Sequence, residues 1–340
     1  MSSEQITIKD IAKKLNIAPS TVSRALKDHP DISSATKKAV ADLAEQLDYQ
    51  PNTVAQNLRK SKTFTIGVIV PEIVHYFFSS VISGIEDVAY SSGYHVMICQ
   101  SNELLEREKM NANALMASRV DGLLVSISKE TENANHFLSL QKRGIPIVQF
   151  DRCLPSLNTS SVVVDDYEGA LHATEHLIQK GCKRIAHLMA PSNLEISKER
   201  ARGYQKALQN YQIEYDPELS VQGDSFKSGY KAALKLLNSD KNPDAFFAVN
   251  DLAAIGAMKA IKSKGLRIPE DVAIVGFSDD PTITELMDPP LTSVLQPGFE
   301  MGMLATRMLL EAIDKKENAK IRNEVLRTEL MIRASSKRKS

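Results

Sequence analysis

The chain has 340 residues, 43% of them apolar and 25% charged, which fits a globular protein large enough for more than one core and excludes disordered, collagen-like and disulfide-dense classes. No run of about eighteen apolar residues occurs and the first ten residues lack a cationic-then-apolar leader, so no membrane partner is expected. Cys99, Cys153 and Cys182 have no CxxC spacing and read as reduced thiols of a cytoplasmic protein. Basic and acidic residues balance at 42 each, but residues 1–62 carry ten basic against seven acidic groups. That bias fits a small N-terminal module that meets an anion.

The first fifty residues read as three short helices. Thr7 and Asp10 form a capping-box-like start to a helix with Ile8, Ile11, Ala12 and Leu15 on one face. Pro19 suits the first position of a second helix, because its fixed φ is helical and its missing N–H would be unpaired there anyway. Val22, Ala25 and Leu26 are expected inward on that helix. Ser33 caps a third, with Ala39, Val40, Leu43 and Leu47 inward. Two short helices joined by a tight turn and braced by a third are either a generic bundle or the arrangement that sets a helix into the DNA major groove. The second helix favours DNA: Pro19, Ser20, Thr21, Ser23 and Arg24 place small or hydrogen-bonding groups at its start and outer face. Arg can chelate guanine O6 and N7, and hydroxyls can hold phosphates. Residues 51–63 contain helix formers after Pro51 but only a few apolar side chains, so they read as a charged linker or as a hinge that becomes helical on DNA.

From Phe64 the texture becomes strand-then-helix. Apolar runs at Phe64–Val70, Tyr94–Cys99, Gly122–Ile127 and Ile145–Phe150 alternate with helical patterns, and a second series follows from Val162 to Phe277. The pattern predicts an α/β core of two doubly wound parallel-sheet lobes below the all-α helix-turn-helix headpiece, with a cleft where the carboxyl ends of the strands face each other.

Blocks in order along nearly the whole chain resemble the LacI/GalR family of bacterial transcription regulators. They include Thr7-Ile8-Lys9-Asp10-Ile11-Ala12, Ser20-Thr21-Val22-Ser23-Arg24-Ala25-Leu26, Leu47-Asp48-Tyr49-Gln50-Pro51-Asn52, Ala55-Gln56-Asn57-Leu58, Arg200-Ala201-Arg202-Gly203-Tyr204, Asn250-Asp251-Leu252-Ala253-Ala254-Ile255-Gly256 and Val275-Gly276-Phe277. The resemblance implies a DNA-reading headpiece over 1–50, a hinge helix and linker over 51–63, and a periplasmic-binding-protein-like core for effector binding and dimerisation over 64–333. Three chain crossings would put about 64–160 and 293–322 in one lobe and 161–292 and 323–333 in the other, leaving 334–340 as a basic tail. It further implies a homodimeric repressor on a near-palindromic operator in double-stranded DNA.

Carried onto this sequence, Pro19, Ser20 and Arg24 stand at base-reading positions and Thr21, Ser23 and Asn52 at backbone contacts. Leu58 stands where family members wedge a leucine into the minor groove. Ala18 replaces the usual serine cap, and Pro19 offers no donor to a base. In the core the resemblance implies a small-molecule effector, a sugar or sugar derivative, held by Phe77, Phe78, Asp151, Arg200, Asn250, Asp251 and Ser278. Aromatic faces suit sugar C–H groups, and charged or amide groups at strand ends suit adjacent hydroxyls. Helix capping is the competing reading for Asp251, and ordinary core for the phenylalanines.

Weaker signals carry less. His172 and His176 are one turn apart without a third ligand and read as a solvated face, and Asp165-Asp166 reads as a helix cap before a magnesium site. No nucleotide, hydrolase or metalloprotease signature occurs, so no cofactor, metal or catalytic residue is expected. The competing functions are a sugar-binding protein that has lost DNA binding and an α/β enzyme using Asp151 or Asp251.

Overall fold

The Thr7 backbone N–H donates to Asp10 Oδ2 at 2.9 Å and the Thr7 hydroxyl to the same oxygen at 2.7 Å, which starts helix α1 (Ile8–Leu15). Asn16, at φ 52°, ends it in the left-handed region that a short amide side chain tolerates. Helix α2 (Pro19–Ala25) then begins at Pro19 behind an Ala18 that supplies no side-chain cap. Helix α3 (Ser34–Gln46) is capped by Ser33, whose hydroxyl accepts from the Thr36 N–H at 3.3 Å. The computed structural model describes residues 6–49, 62–315 and 320–338. The expected hinge, with Asn52 and Leu58, lies almost wholly outside the described residues.

The chain divides into two units, 1–63 and 64–340. In the first, Ile11, Ala12, Val22, Ala25, Val40 and Ala44 form the core. Leu26 and Ala39, expected inward, are exposed; Ala44, one turn beyond Val40, takes the inner position instead.

The second unit holds two six-stranded sheets. The first contains β1 (Thr65–Val70), β2 (His95–Gln100), β3 (Gly122–Val125), β4 (Ile147–Phe150) and β5 (Ser160–Val164), with β11 (Asn323–Leu326) added late in the chain. Its order is β11-β5-β4-β3-β1-β2, all parallel. The second contains β6 (Ile185–Met189), β7 (Ser220–Gln222), β8 (Ala245–Ala248), β9 (Ala273–Ser278), β10 (Thr292–Leu295) and β12 (Glu329–Met331). Its order is β12-β10-β9-β8-β6-β7, parallel except for the β10–β12 edge pair. The connecting helices are α4 (Tyr76–Ser91), α5 (Leu105–Ala117), α6 (Asn135–Gln141), α7 (Asp166–Gln179), α8 (Glu195–Asn210), α9 (Phe226–Leu237), α10 (Asp251–Ser263) and α11 (Gly298–Lys315). Strands β1, β3, β4 and β8 are buried almost throughout, as sheets covered on both faces require.

The expected lobe boundaries are corrected. Strand β5 pairs with β4 in the first sheet, β10 pairs with β9 in the second, and β11 returns to pair with β5. Each switch therefore falls after a strand, at its carboxyl end, where the expected partition put it before the strand. The segment 323–333, expected wholly in the second lobe, supplies two strands in different sheets, β11 and β12.

The expected basic tail is also corrected as far as it is described. Ser335 Oγ donates to the Ile274 carbonyl at 2.7 Å and accepts from the Thr292 N–H at 2.8 Å. The Arg338 guanidinium donates to the carbonyls of Pro269, Glu270 and Asp271. His172 is exposed, but His176 is buried with Nε2 2.8 Å from Ser336 Oγ, so the pair is not one solvated face.

Helices α4 and α11 cross through glycine. A Cβ on Gly84 would lie 2.0 Å from the Phe299 carbonyl oxygen, and one on Gly302 would lie 2.0 Å from that of Val81. Backbone cannot yield as a side-chain tip can, so Gly84→Ala is expected to lower core stability by roughly 1–3 kcal/mol. The measurement is the urea midpoint of the core transition; an unchanged midpoint would contradict so close a crossing.

Candidate functional site

In the first unit, α2 buries Val22 and Ala25 and turns Pro19, Ser20 and Arg24 outward, with Thr21 and Ser23 half-buried beside them. The face is built by helical spacing: Pro19, Ser20, Ser23 and Arg24 fall opposite the two core residues. It offers hydroxyls and one guanidinium on a short rigid rod, the means to read base edges and grip phosphates.

In the second unit, parallel strands deliver their carboxyl ends to a common region. Asp151 follows β4 in the left-handed region (φ 57°) and is buried; Ser126 Oγ donates to its Oδ2 at 3.5 Å. Burial is the main cause that lifts its pKa to about 6, opposed by Arg152 and Arg200 and helped by Asp166. After β5, Asp165 caps α7 by accepting from the Glu168 N–H at 3.0 Å, as the sequence reading expects. Asp166 does something else. Its Oδ1 accepts from Arg200 Nε at 2.7 Å and lies 2.7 Å from Nη2. Both partners are almost fully buried, and burial raises the Asp166 pKa while the guanidinium opposes it. Arg200 also donates to the Val249 carbonyl and sits 3.6 Å above the Phe277 ring.

The two lobes also touch directly. Asn193 Nδ2 donates to the Lys129 carbonyl at 2.5 Å, and Lys129 Nζ lies 3.8 Å from Asp224. Glu103 receives both the Lys129 N–H and, at 2.8 and 2.9 Å, the Arg152 guanidinium. Arg152 in turn lies 5.9 Å from the centroid of Phe78.

Other expected residues divide. Phe77 and Phe78 meet edge to face at 5.2 Å on the first turn of α4 and are both buried in the first lobe's core, so the ordinary packing role holds for much of their surface. Asn250 caps α10 by accepting from the Ala253 N–H at 2.8 Å and donates to the Asp224 carbonyl at 2.7 Å. Asp251 accepts from Ser293 Oγ at 2.5 Å and from the Asp280 N–H at 3.0 Å. Both of its oxygens are thus engaged inside the second lobe, where they tie α10 to the ends of β9 and β10. Ser278, at φ 122°, occupies a strained position beside Asp279, which binds Arg333 with both oxygens.

The comparisons fit both parts. A family model described as bacterial regulatory proteins, lacI family, matches residues 7–52, and one for a periplasmic binding protein-like domain matches residues 174–336. The HTH-type transcriptional repressor CytR of Escherichia coli (strain K12) is 33% identical over 332 residues, 97% of this chain and 96% of that protein. The chain belongs to the lacI family of bacterial regulatory proteins.

Two solved structures agree with that membership. The lac repressor dimer bound to operator and the anti-inducer ONPF matches with a TM-score of 0.86 at 26% identity, covering 98% of this chain and 99% of that one. A transcriptional regulator CelR–cellobiose complex matches with a TM-score of 0.75 at 31% identity, covering 97% and 100%. Within this lacI-family chain, sequence reading missed Asp166, Glu103, Lys129 and Arg152. Asp166 was visible only as half of an acidic pair after a strand, and the other three stand in loops with no pattern to mark them.

Asp251 gives a test of the burial argument. Burial raises its pKa from 3.8 to about 7, so the folded state keeps a proton that the unfolded chain has lost. Its contribution is fully present below the unfolded value and is lost as pH rises through about 7. Urea unfolding of wild type and Asp251→Asn is expected to show wild type losing stability relative to the variant between pH 5 and about 8. A difference independent of pH would contradict it.

Proposed function

We propose that this chain is a sequence-specific transcriptional repressor that binds a near-palindromic operator as a homodimer and answers to a sugar or sugar derivative between its core lobes. The observation that carries the reading is the outer face of α2, where Pro19, Ser20 and Arg24 stand exposed in the unit spanned by the lacI-family match. Base edges are read by Arg24 and Ser20, with Pro19 packing against them. Thr21 and Ser23 hold the backbone, as does Asn52, and Leu58 serves as the minor-groove wedge. The chain works by binding and not by turnover, and in the cytoplasm, where its DNA is.

Dimerisation has support in the core. The edge strand β2 presents Met97 and Ile98 at 39% and 37% exposure, and Val74 and Tyr90 stand out at 83% and 87%. An open apolar edge is a liability unless a second copy covers it, and two-fold pairing also matches a palindromic site. The lac repressor structure is of a dimer on operator, and CelR is seen with cellobiose.

In the cleft we assign ligand contact to Asp151, Arg200 and the exposed margins of Phe77 and Phe78, with Asn250 and Ser278 shaping the second wall and Asp251 positioning it. Ligand that binds two lobe arrangements with different affinity shifts the balance between them, and operator affinity follows.

Selection of bound DNA from a random pool by the full-length protein, with and without neutral sugars, tests the whole reading. A near-palindromic consensus that weakens or strengthens with one sugar is the expected outcome; no enriched sequence would sink it. Arg24→Ala is expected to cost about 1–3 kcal/mol of operator affinity and to relax one base position, read by gel shift against a set of single-base operator variants. Met97→Lys is expected to convert dimer to monomer in sedimentation; an unaltered dimer would place the interface elsewhere.

A further inference from the structure

A guanidinium at the meeting of two lobes is ordinarily a receptor for anions, since its planar fork matches phosphate and carboxylate oxygens. In this chain the charge of Arg200 is already answered. Nε and Nη2 lie 2.7 Å from Asp166 Oδ1, a third N–H goes to the Val249 carbonyl, and three of five donors are used in this way. The pair is nearly sealed from water, with 4% and 5% exposure for Arg200 and Asp166, so solvent does little to screen it.

The neighbouring cations are answered as well. Arg152 is chelated by Glu103 and lies 3.9 Å from Asp151, and Lys129 faces Asp224. Of these carboxylates, Asp166, Glu103 and Asp224 each face a cation of their own, and Asp151 is left to share Arg152 with Glu103. Among the described residues, its carboxylate receives one hydrogen bond, from the Ser126 hydroxyl at 3.5 Å. An entering phosphate would lose its water beside two buried carboxylates and find, among the described residues named here, no cation without a carboxylate partner, at the full cost of an unpaired buried charge. A hydroxyl loses little and can donate to Asp151 while accepting from the unused Nη hydrogens of Arg200.

We propose that Asp166 is a specificity-determining residue that neutralises Arg200, so that the cleft takes an uncharged, hydroxyl-bearing ligand and rejects phosphorylated or carboxylated ones. The inference rests on the effector reading of the cleft and deepens it. Asp166 acts through Arg200 and is therefore a positioning residue as well as a charge filter.

The test is calorimetric titration of the full-length protein with inorganic phosphate. Wild type is expected to show no phosphate binding at millimolar concentration. Asp166→Asn, which keeps the shape and an acceptor for Arg200 but removes the charge, is expected to bind phosphate at least tenfold more tightly. Adding Arg200→Ala to that variant is expected to abolish the gain. Phosphate binding by wild type that Arg200→Ala removes would overturn the proposal, as would a folded Asp166→Asn that gains nothing. Should Asp166→Asn not fold, Asp151→Asn decides: it removes that carboxylate's charge and leaves the ion pair intact, and a two- to fivefold gain supports the proposal while no gain overturns it. Operator release by neutral monosaccharides is measured in parallel. Phosphate gain without any sugar response leaves the charge assignment standing and removes the effector reading, and a sugar response without phosphate gain does the reverse.

Discussion

Everything in the core depends on the direction of its strands. A parallel sheet sends all its carboxyl ends to one edge, and a chain that shares itself between two such sheets can leave each sheet only at that edge or by way of a helix. Here the switches follow β5, β10 and β11, so covalent connections, strained residues and buried charges gather in one region. Asp151, Ser278 and Asp279 all have positive φ there without being glycine. Strain of this kind persists where surrounding hydrogen bonds over-determine it, and Asp279 is held by the two-oxygen clasp of Arg333.

That region is expensive to build. Asp166 and Arg200 are removed from water together, and a buried ion pair adds little net stability compared with apolar residues of the same volume. Removing one member, in contrast, strands the other. The arrangement is therefore better explained by what it presents than by what it stabilises. The stability of each lobe comes from elsewhere: fully covered strands such as β1 and β8, and close helix crossings such as α4 on α11.

How much of this was legible in the sequence follows from the range of each interaction. Local signals held well: Thr7 with Asp10, Pro19 at a helix start, Ser33 as a cap, and apolar runs as buried strands, except for the Tyr94–Cys99 run, whose strand β2 is a largely exposed edge. The inner face of a helix was less secure, since Leu26 and Ala39 look like core by spacing but are exposed among the described residues, where Ala44 joins the core instead. Lobe membership was not legible, because β5 and β11 are as apolar or as plain in one sheet as in the other, and only their hydrogen-bonded partners distinguish them. The same holds for Asp166. Its partner is 34 residues away, and they meet only because α7 and α8 pack side by side.

Two aspartates make the last step. Asp151 and Asp251 both come just after a covered strand, both are buried, and burial lifts both pKa values, to about 6 and about 7. Their surroundings differ in charge, with Arg152 and Arg200 opposing the rise at Asp151 and Asp279 and Asp280 adding to it at Asp251, and they differ in hydrogen bonding. Asp251 receives a hydroxyl on one oxygen and a backbone N–H on the other from its own lobe, whereas Asp151 receives one long hydroxyl contact. A buried carboxylate is tolerated in proportion to the donors aimed at it. Asp251 is therefore complete without a guest and serves to hold the second lobe together. Asp151, by contrast, retains acceptor capacity among the described residues, near the Asp166–Arg200 pair that acts on it electrostatically.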